Sequence, residues 1–111
     1  MQHTMNLHNA PFLSIKSGTK TVEMRLFDER RKNIKVGDTI LFTNNTTGEQ
    51  LMVQVTKMEV FANFEELYRN YDKVAIGYTA NEIANPADMH LYYTSEQIAT
   101  YGVVAIGIKL C

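Results

Sequence analysis

Several features that would assign a class of function are missing from this sequence. Its only cysteine is Cys111, so it has no cysteine pair for a disulfide and no cysteine and histidine spacing for a zinc site. Such a chain fits a reducing compartment, and we expect a cytoplasmic protein. Residues 1–12 contain neither a basic leader nor a long apolar run, so we expect no signal peptide. No stretch approaches the ~20 apolar residues that cross a bilayer, so we expect no membrane partner.

Charge of one sign is also scarce, because the net charge of the chain is −1. This value argues against strong non-specific binding to nucleic acid. The distribution is uneven, with a balance of +3 in residues 1–57 and of −4 in residues 58–111. Most of the positive excess lies in residues 25–35, which form either a solvated loop or a basic lip whose Arg30 and Arg31 contact a few phosphates. The three histidines are scattered, so we expect neither a metal site nor a cofactor.

The sequence has no internal repeat and no linker, and we expect one domain over residues 1–111. A chain of this length, with 45% apolar residues, can bury a core without disulfides. Strand patterns outnumber helix patterns, and they do not alternate as β-α-β units. The sequence therefore predicts an α+β fold, a small and mostly antiparallel β-barrel with short helices at its flanks. It predicts no oligomeric state.

Local patterns place the secondary structure. Asn9 is the predicted cap of the first helix and Gly18 its end, with Pro11 in the first turn. Period-two alternation marks the strands, and the nearly uninterrupted apolar run at the end of the chain indicates an interior strand. The predicted elements are a helix at 10–17, strands at 21–27, 39–43, 49–61 and 103–110, and helices at 63–71, near Pro86 and after Thr94 or Ser95.

The segment SGTKTVEMR carries the residues with the clearest chemistry. Glu23 and Arg25 are two positions apart, so both side chains project from the same face of the predicted strand. If that face turns inward, Arg25 can clamp a phosphate or the acceptor edge of a base through its planar guanidinium. Glu23 can accept from an exocyclic amine or activate a water, and Lys20 can act as a base. The alternative is an exposed strand face with a weak Glu–Arg pair.

The run PFLSIKSGTKTVEMRL contains the pattern G-x-K-x-x-E-x-R after a short helix that begins near a proline. This pattern resembles the signature of the ASCH family, whose fold is similar to the PUA domain. Residues 35–42, KVGDTILF, are similar to the Gly-Asp turn that enters a strand in that family. The resemblance implies a β-barrel with a cleft that holds Gly18, Lys20, Glu23 and Arg25. It also implies that the partner is RNA or a nucleotide-like ligand.

The resemblance implies an enzymatic alternative as well, because small bacterial ASCH proteins remove the acetyl group from acetylcytidine nucleosides. Their catalytic set is a lysine, a threonine three positions later and a glutamate beyond the central helix. The lysine corresponds to Lys20, but the threonine position is Glu23 in this chain. Thr21 is one residue from Lys20 and should point to the opposite face from Val22, so it is not an obvious substitute. Asp72 and Glu82 are the candidates for the third group. If the chain is a hydrolase, Lys20 and Glu23 are the expected catalytic residues, and a ribonuclease is a second version of this hypothesis.

Two tyrosines near the end of the predicted helix at Pro86 complete the candidate site. Tyr92 and Tyr93 either stack on a base at the rim of the cleft or pack their rings and leave their hydroxyls in water. Tyr93 is the one that we expect to bind the ligand. Two classes of function therefore stay open, a binding module for RNA or a nucleotide-like ligand and a small hydrolase.

Overall fold

The computed structural model describes all 111 residues of the chain. Five strands and three α-helices follow the order of the sequence, with two short 3₁₀ helices at Arg31–Asn33 and Pro86–Leu91. The strands and helices are β1 (Gln2–Leu7), α1 (Asn9–Lys16), β2 (Val22–Leu26), β3 (Thr39–Asn44), β4 (Gln50–Phe61), α2 (Phe64–Asn70), α3 (Ser95–Tyr101) and β5 (Val103–Leu110).

All five strands belong to one curled sheet with the order β1-β3-β4-β5-β2. The pair β1–β3 is parallel, and the other three pairs are antiparallel. The sheet forms a half-barrel flanked by helices, which confirms the predicted α+β fold. The terminal strand β5 lies between β4 and β2, as its apolar sequence indicates. Strand β1 was not predicted, because Met5 and Leu7 are its only buried residues and mark the alternation at one end alone.

The two outer strands, β1 and β2, approach each other across the open side of the half-barrel. Arginine side chains bridge this gap, which we call the seam. Arg25 Nη2 donates to the carbonyl of Asn6 at 3.0 Å, and Arg30 Nη2 donates to the carbonyl of Thr4 at 3.0 Å. The seam is therefore closed by side-chain hydrogen bonds where a complete barrel has backbone pairing.

The sheet is apolar on both faces, and β5 contributes to both. Val104, Ile106 and Ile108 join the larger cluster, which includes Phe12 and Ile15 of α1. Val103 and Ala105 alternate with them and join the second cluster, which covers α2 and the apolar side of β2. Burial on both faces is the reason that the sequence of β5 is continuously apolar.

Most helix ends follow the predicted signals. The side chain of Asn63 accepts from the backbone N–H of Glu66 at the start of α2, and Thr94 forms a capping box with Gln97 at the start of α3. The predicted cap of α1 was wrong. His8 precedes the helix without a side-chain cap, and Asn9 is its first residue, because the Asn9 side chain instead accepts a hydrogen bond from Asn44 at 2.9 Å.

The three helices are short, and none of them has the length and apolar character needed to cross a membrane.

Candidate ligand-binding cleft

A cleft of about 420 Å³ opens between the motif segment and the irregular chain that follows α2. Its lining includes Lys20, Glu23 and Arg25 from the motif, so the structure brings these three predicted residues together. We call them the motif wall. The chemically informative residues on the other sides of the cleft are His8, Tyr68, Gly77, Tyr78, Glu82, Asp88, Tyr92 and Tyr93.

The turn after α1 delivers Lys20 to the cleft. Gly18 has a φ of +86°, which suits glycine, and the backbone N–H of Lys20 then donates to the carbonyl of Ser14 at 3.1 Å. Thr21 and Val22 both donate to the carbonyl of Ala75 at 3.0 Å, so the chain after α2 is fixed to the start of β2. The side chain of Lys20 is only 8% exposed.

Glu23 lies on the interior face of the half-barrel. Its cross-strand partner is Ile106, and the partner of Arg25 is Val104, both of which are fully buried. Directly opposed residues share a face of the sheet, so the polar side of β2 turns inward, which is the arrangement that makes a cleft possible. The opposite face of β2 carries Val22, which packs in the second hydrophobic cluster, beside α2.

The carboxylate of Glu23 is saturated with donors. Oε1 lies 2.9 Å from the Lys20 ammonium and accepts from the backbone N–H of Met24 at 3.2 Å. Oε2 accepts from Nε of Arg25 at 3.1 Å and from Nη2 of Arg25 at 2.8 Å. Burial alone raises the pKa of Glu23, but the charges of Lys20 and Arg25 outweigh it, and the net effect lowers the pKa. Glu23 is therefore ionised, and its four acceptor positions are filled.

Arg25 connects Glu23 to the seam and to Tyr93. Burial opposes the charged guanidinium, but the nearby Glu23 carboxylate and the Tyr93 hydroxyl outweigh burial and raise the pKa of Arg25. The ring of Tyr93 stacks on Phe64 with centroids 6.1 Å apart. Burial raises the pKa of Tyr93, and this effect outweighs the positive charge of Arg25, which lowers it. Tyr93 thus packs its ring and also places its hydroxyl at the motif wall.

A second group of polar side chains faces the motif wall. The Tyr68 and Tyr78 hydroxyls are 2.9 Å apart, and the Tyr78 hydroxyl donates to Oδ2 of Asp88 at 2.8 Å. We call these three residues the tyrosine–aspartate wall. Burial raises the pKa of both tyrosines, so their hydroxyls are protonated donors at neutral pH. None of the three was predicted as a site residue, since Tyr68 lies in a predicted helix without a site motif, and no periodic pattern covers residues 72–93, which contain Tyr78 and Asp88.

A match to a known protein family identifies the chain that forms this cleft. The family model described as ASCH domain matches residues 5–111. The chain is an ASCH domain. No curated protein matches it. Members of this family are generally regarded as RNA-binding domains with a PUA-like fold.

Solved structures share the fold of this chain. The crystal structure of the hypothetical protein PH0355 is 30% identical, with a TM-score of 0.85 and complete coverage of both chains. The solution structure of protein PF0455 from Pyrococcus furiosus is 32% identical, with a TM-score of 0.77 and coverage of 99% of this chain and 97% of the other. The ASCH domain from Lactobacillus crispatus is 12% identical, with a TM-score of 0.68 and coverage of 98% and 79%, and it supports the fold alone.

Three of the predicted site residues of this ASCH domain lie outside the lining of the cleft. Gly18 is exposed and shapes the turn before Lys20. Arg30 is exposed and bridges the seam, and Arg31 pairs with Asp28 at 2.8 Å. The structure thus engages both arginines within the protein, and the expected phosphate-binding lip stays a prediction.

The two candidates for the third catalytic group of a hydrolase, Glu82 and Asp72, differ in their position relative to the cleft. Glu82 lines the cleft, where Oε1 accepts from the backbone N–H of Thr79 at 2.7 Å. Asp72 is exposed outside the lining, and its carboxylate accepts from the backbone N–H of Val74. Thr21 is exposed as well. The carboxylates that share the ASCH cleft are therefore Glu23, Glu82 and Asp88.

The rim of the ASCH cleft carries exposed aromatic surface. Tyr92 is 56% exposed, and its ring centroid lies 6.2 Å from that of His8 in a tilted arrangement. Tyr93 is the more buried of the two tyrosines. The two tyrosines therefore differ in the structure. The ring of Tyr93 packs against Phe64, whereas the ring of Tyr92 is exposed to solvent, where a base could stack on it. No group of three metal-ligating side chains converges in the structure.

Proposed function

We propose that this ASCH domain binds RNA or a nucleoside-like ligand, with a base in the cleft beside Lys20. The observation that carries the proposal is the buried ion pair at the floor of the cleft. An ammonium group has three N–H donors, and the one protein acceptor that faces Lys20 is Glu23. The remaining donors are available to a ligand, and Glu23 holds the lysine in place.

The surroundings of Lys20 support a base better than a phosphate chain. The charged side chains that line the cleft are Lys20 and Arg25 against Glu23, Glu82 and Asp88, a balance of −1. A site built for several phosphates has an excess of positive charge. Aromatic rings at the rim, such as Tyr92, stack on bases of any sequence. This combination is typical of single-stranded nucleic acid held by its bases.

A binding titration tests the proposal. A short, fluorescently labelled single-stranded RNA of mixed sequence is titrated with protein, and its anisotropy is recorded. We expect Lys20→Met to weaken binding at least about 10-fold, because it removes a charged hydrogen-bond donor from the cleft. Lys16→Met is the matched control, since Lys16 is 51% exposed on α1 and pairs with Glu49 outside the cleft. Equal losses in the two variants, or no binding by the unmodified protein, would reject the proposal.

A hydrolase is the second candidate, and the cleft position of Glu82 is the observation that favours it. Glu23 stands where related acetylcytidine hydrolases have threonine, but its acceptor positions are all filled. Activation of a water in this arrangement therefore falls to Glu82, while Lys20 stabilises the developing oxyanion.

Chromatographic separation of the products tests this candidate. Acetylcytidine is incubated with the protein, and the formation of cytidine is compared with that by Lys20→Ala and Glu82→Gln. Turnover by the unmodified protein that both variants abolish supports the hydrolase. Turnover that survives in Glu82→Gln would remove Glu82 from the mechanism. Absence of cytidine would exclude this substrate and leave binding, or cleavage of RNA, as the function.

A further inference from the structure

The tyrosine–aspartate wall is a directional chain of hydrogen bonds. Tyr78 has a single hydroxyl proton, and its shortest contact with an acceptor is the one to Asp88 at 2.8 Å. Its second acceptor, the carbonyl of Asn85, is at 3.1 Å. If Tyr78 donates to Asp88, the contact of 2.9 Å between the two hydroxyls needs Tyr68 as the donor. Both tyrosines therefore direct their donors toward the carboxylate of Asp88.

Asp88 is oriented by this chain but is not neutralised. Tyr78 contacts Oδ2, whereas Oδ1 has no hydrogen-bond partner within the protein. No lysine, arginine or histidine forms an ion pair with Asp88. An ionised carboxylate only accepts hydrogen bonds. Asp88 thus lines the cleft as a carboxylate with one oxygen free to accept a hydrogen bond, in contrast to the saturated carboxylate of Glu23.

The donor and the acceptor border the same space. A Cβ atom built on Gly77 would lie 3.2 Å from Cδ of Lys20, so the backbone beside Tyr78 covers the lysine side chain. Lys20 supplies the donors on one side, and the next residue along the covering chain, Tyr78, fixes the acceptor on the other. A ligand edge that carries an acceptor and an amino group satisfies both sides.

We infer that Asp88, oriented by Tyr78, determines specificity by accepting a hydrogen bond from the exocyclic amino group of a base, while Lys20 donates to an acceptor of the same base. A carboxylate that faces a carbonyl oxygen is repelled, so cytosine binds in preference to uracil. Aspartate and glutamate pair with the amino group of cytosine in the same way in nucleic-acid grooves. The inference rests on the proposed function, since it names the chemistry that the same cleft recognises.

Two labelled homopolymers test the inference, because hexacytidylate and hexauridylate carry the same phosphates and differ only in their bases. Anisotropy titrations under identical salt give the ratio of their dissociation constants. We expect the unmodified protein to bind hexacytidylate about 10-fold more tightly than hexauridylate. In Asp88→Asn the preference should fall to less than about 2-fold, because an amide can also donate to the carbonyl of uracil. Tyr78→Phe, which leaves Asp88 in place without its positioning bond, should show an intermediate preference.

Asp72→Asn is the matched control, since it makes the same chemical change at an exposed carboxylate outside the cleft. It should keep the full preference, and circular dichroism should show native structure in every variant. Equal binding of the two homopolymers, or a preference that survives in Asp88→Asn, would overturn the inference and leave the proposed function standing. Absence of binding to either homopolymer and to the mixed-sequence RNA would overturn both.

Discussion

The two walls of the cleft use the same residue chemistry in opposite ways. In the motif wall, Glu23 is 5% exposed, and every acceptor position of its carboxylate meets a donor of the protein. In the tyrosine–aspartate wall, Asp88 is exposed and keeps one oxygen without a protein partner. The difference indicates that the carboxylate of Glu23 holds the side chains of Lys20 and Arg25 in place. The carboxylate of Asp88 keeps an oxygen that can accept another hydrogen bond. Burial alone does not identify the group that performs the chemistry.

The largest expected effect comes from removing the charge of the buried carboxylate. Glu23→Gln leaves Lys20 and Arg25 in the interior without their counter-charge, and we expect a loss of about 3–5 kcal/mol in the free energy of unfolding. Urea denaturation at neutral pH measures it. Glu29→Gln is the control, because Glu29 is 87% exposed in its pair with Lys32 and should matter little. Similar losses in the two variants would mean that the motif wall does not stabilise the fold.

Acid titration tests the contribution of Glu23 in a second way. The folded-state pKa of Glu23 lies below its ordinary value of 4.5, so its contribution to stability is fully present above that pH. The contribution is lost as the pH falls through the lower folded-state pKa. Asp38 behaves in the same direction, because its bond to His3 and other contacts lower its pKa to about 2. The difference between the unmodified protein and Glu23→Gln therefore isolates Glu23.

Denaturation curves between pH 2 and pH 7, a range chosen to span both carboxylates, provide this measurement. We expect the stability difference between the two proteins to shrink as the pH falls below about 4.5. A difference that stays constant over the whole range would show that the ionised form of Glu23 has no special role.

A substitution at Gly77 tests whether the backbone next to Tyr78 positions the side chain of Lys20. Gly77→Ala forces a side chain into a backbone with φ of +117° and places its Cβ 3.2 Å from Lys20 Cδ. Gly37→Ala introduces the same type of strain, at φ of +95°, with no atom within 4 Å. We expect each to cost about 1–3 kcal/mol of stability. Only Gly77→Ala should also weaken RNA binding in the anisotropy assay, because only its new Cβ lies next to Lys20. An equal effect of both substitutions on binding would show that Gly77 does not position Lys20.

The smallest expected effect concerns the basic segment beside the cleft. Arg30→Ala removes one hydrogen bond to the carbonyl of Thr4, and we expect a loss of about 0.5–1.5 kcal/mol in stability. Because Arg30 does not line the cleft, we expect no change in the affinity for the mixed-sequence RNA. A clear loss of affinity, with a smaller dependence on salt, would instead support the predicted phosphate-binding lip.

The motif wall could be predicted because its information is local. The alternation of Val22, Glu23, Met24 and Arg25 fixes which side chains share a face, and the cross-strand pairing with β5 then decides which face turns inward. The shared face of Glu23 and Arg25 can be read from the sequence. The resemblance to the family pattern is what indicates that this face turns toward a cleft. The helix caps at Asn63 and Thr94 are local signals of the same kind.

The rest depends on contacts between distant parts of the chain. β1 has two buried apolar residues, Met5 and Leu7, and becomes a strand by parallel pairing with β3. Asp88 lines the cleft from a segment whose beginning, at Ala75, is hydrogen-bonded to the start of β2, far away in the sequence. Arg30 lies in a basic segment, but composition does not show that it turns toward β1. None of these contacts produces a periodic pattern in the sequence.

The seam has a consequence for association between chains. Thr4 and Asn6 are two positions apart on the outer strand β1, so their carbonyls point to the same open edge, where a strand from another molecule would be added. Arg30 and Arg25 occupy these two acceptors. An incoming strand must displace two charged side chains, one of which is also held by Glu23, before it can pair. The same guanidinium that borders the cleft therefore also obstructs the addition of a strand at this edge of the sheet.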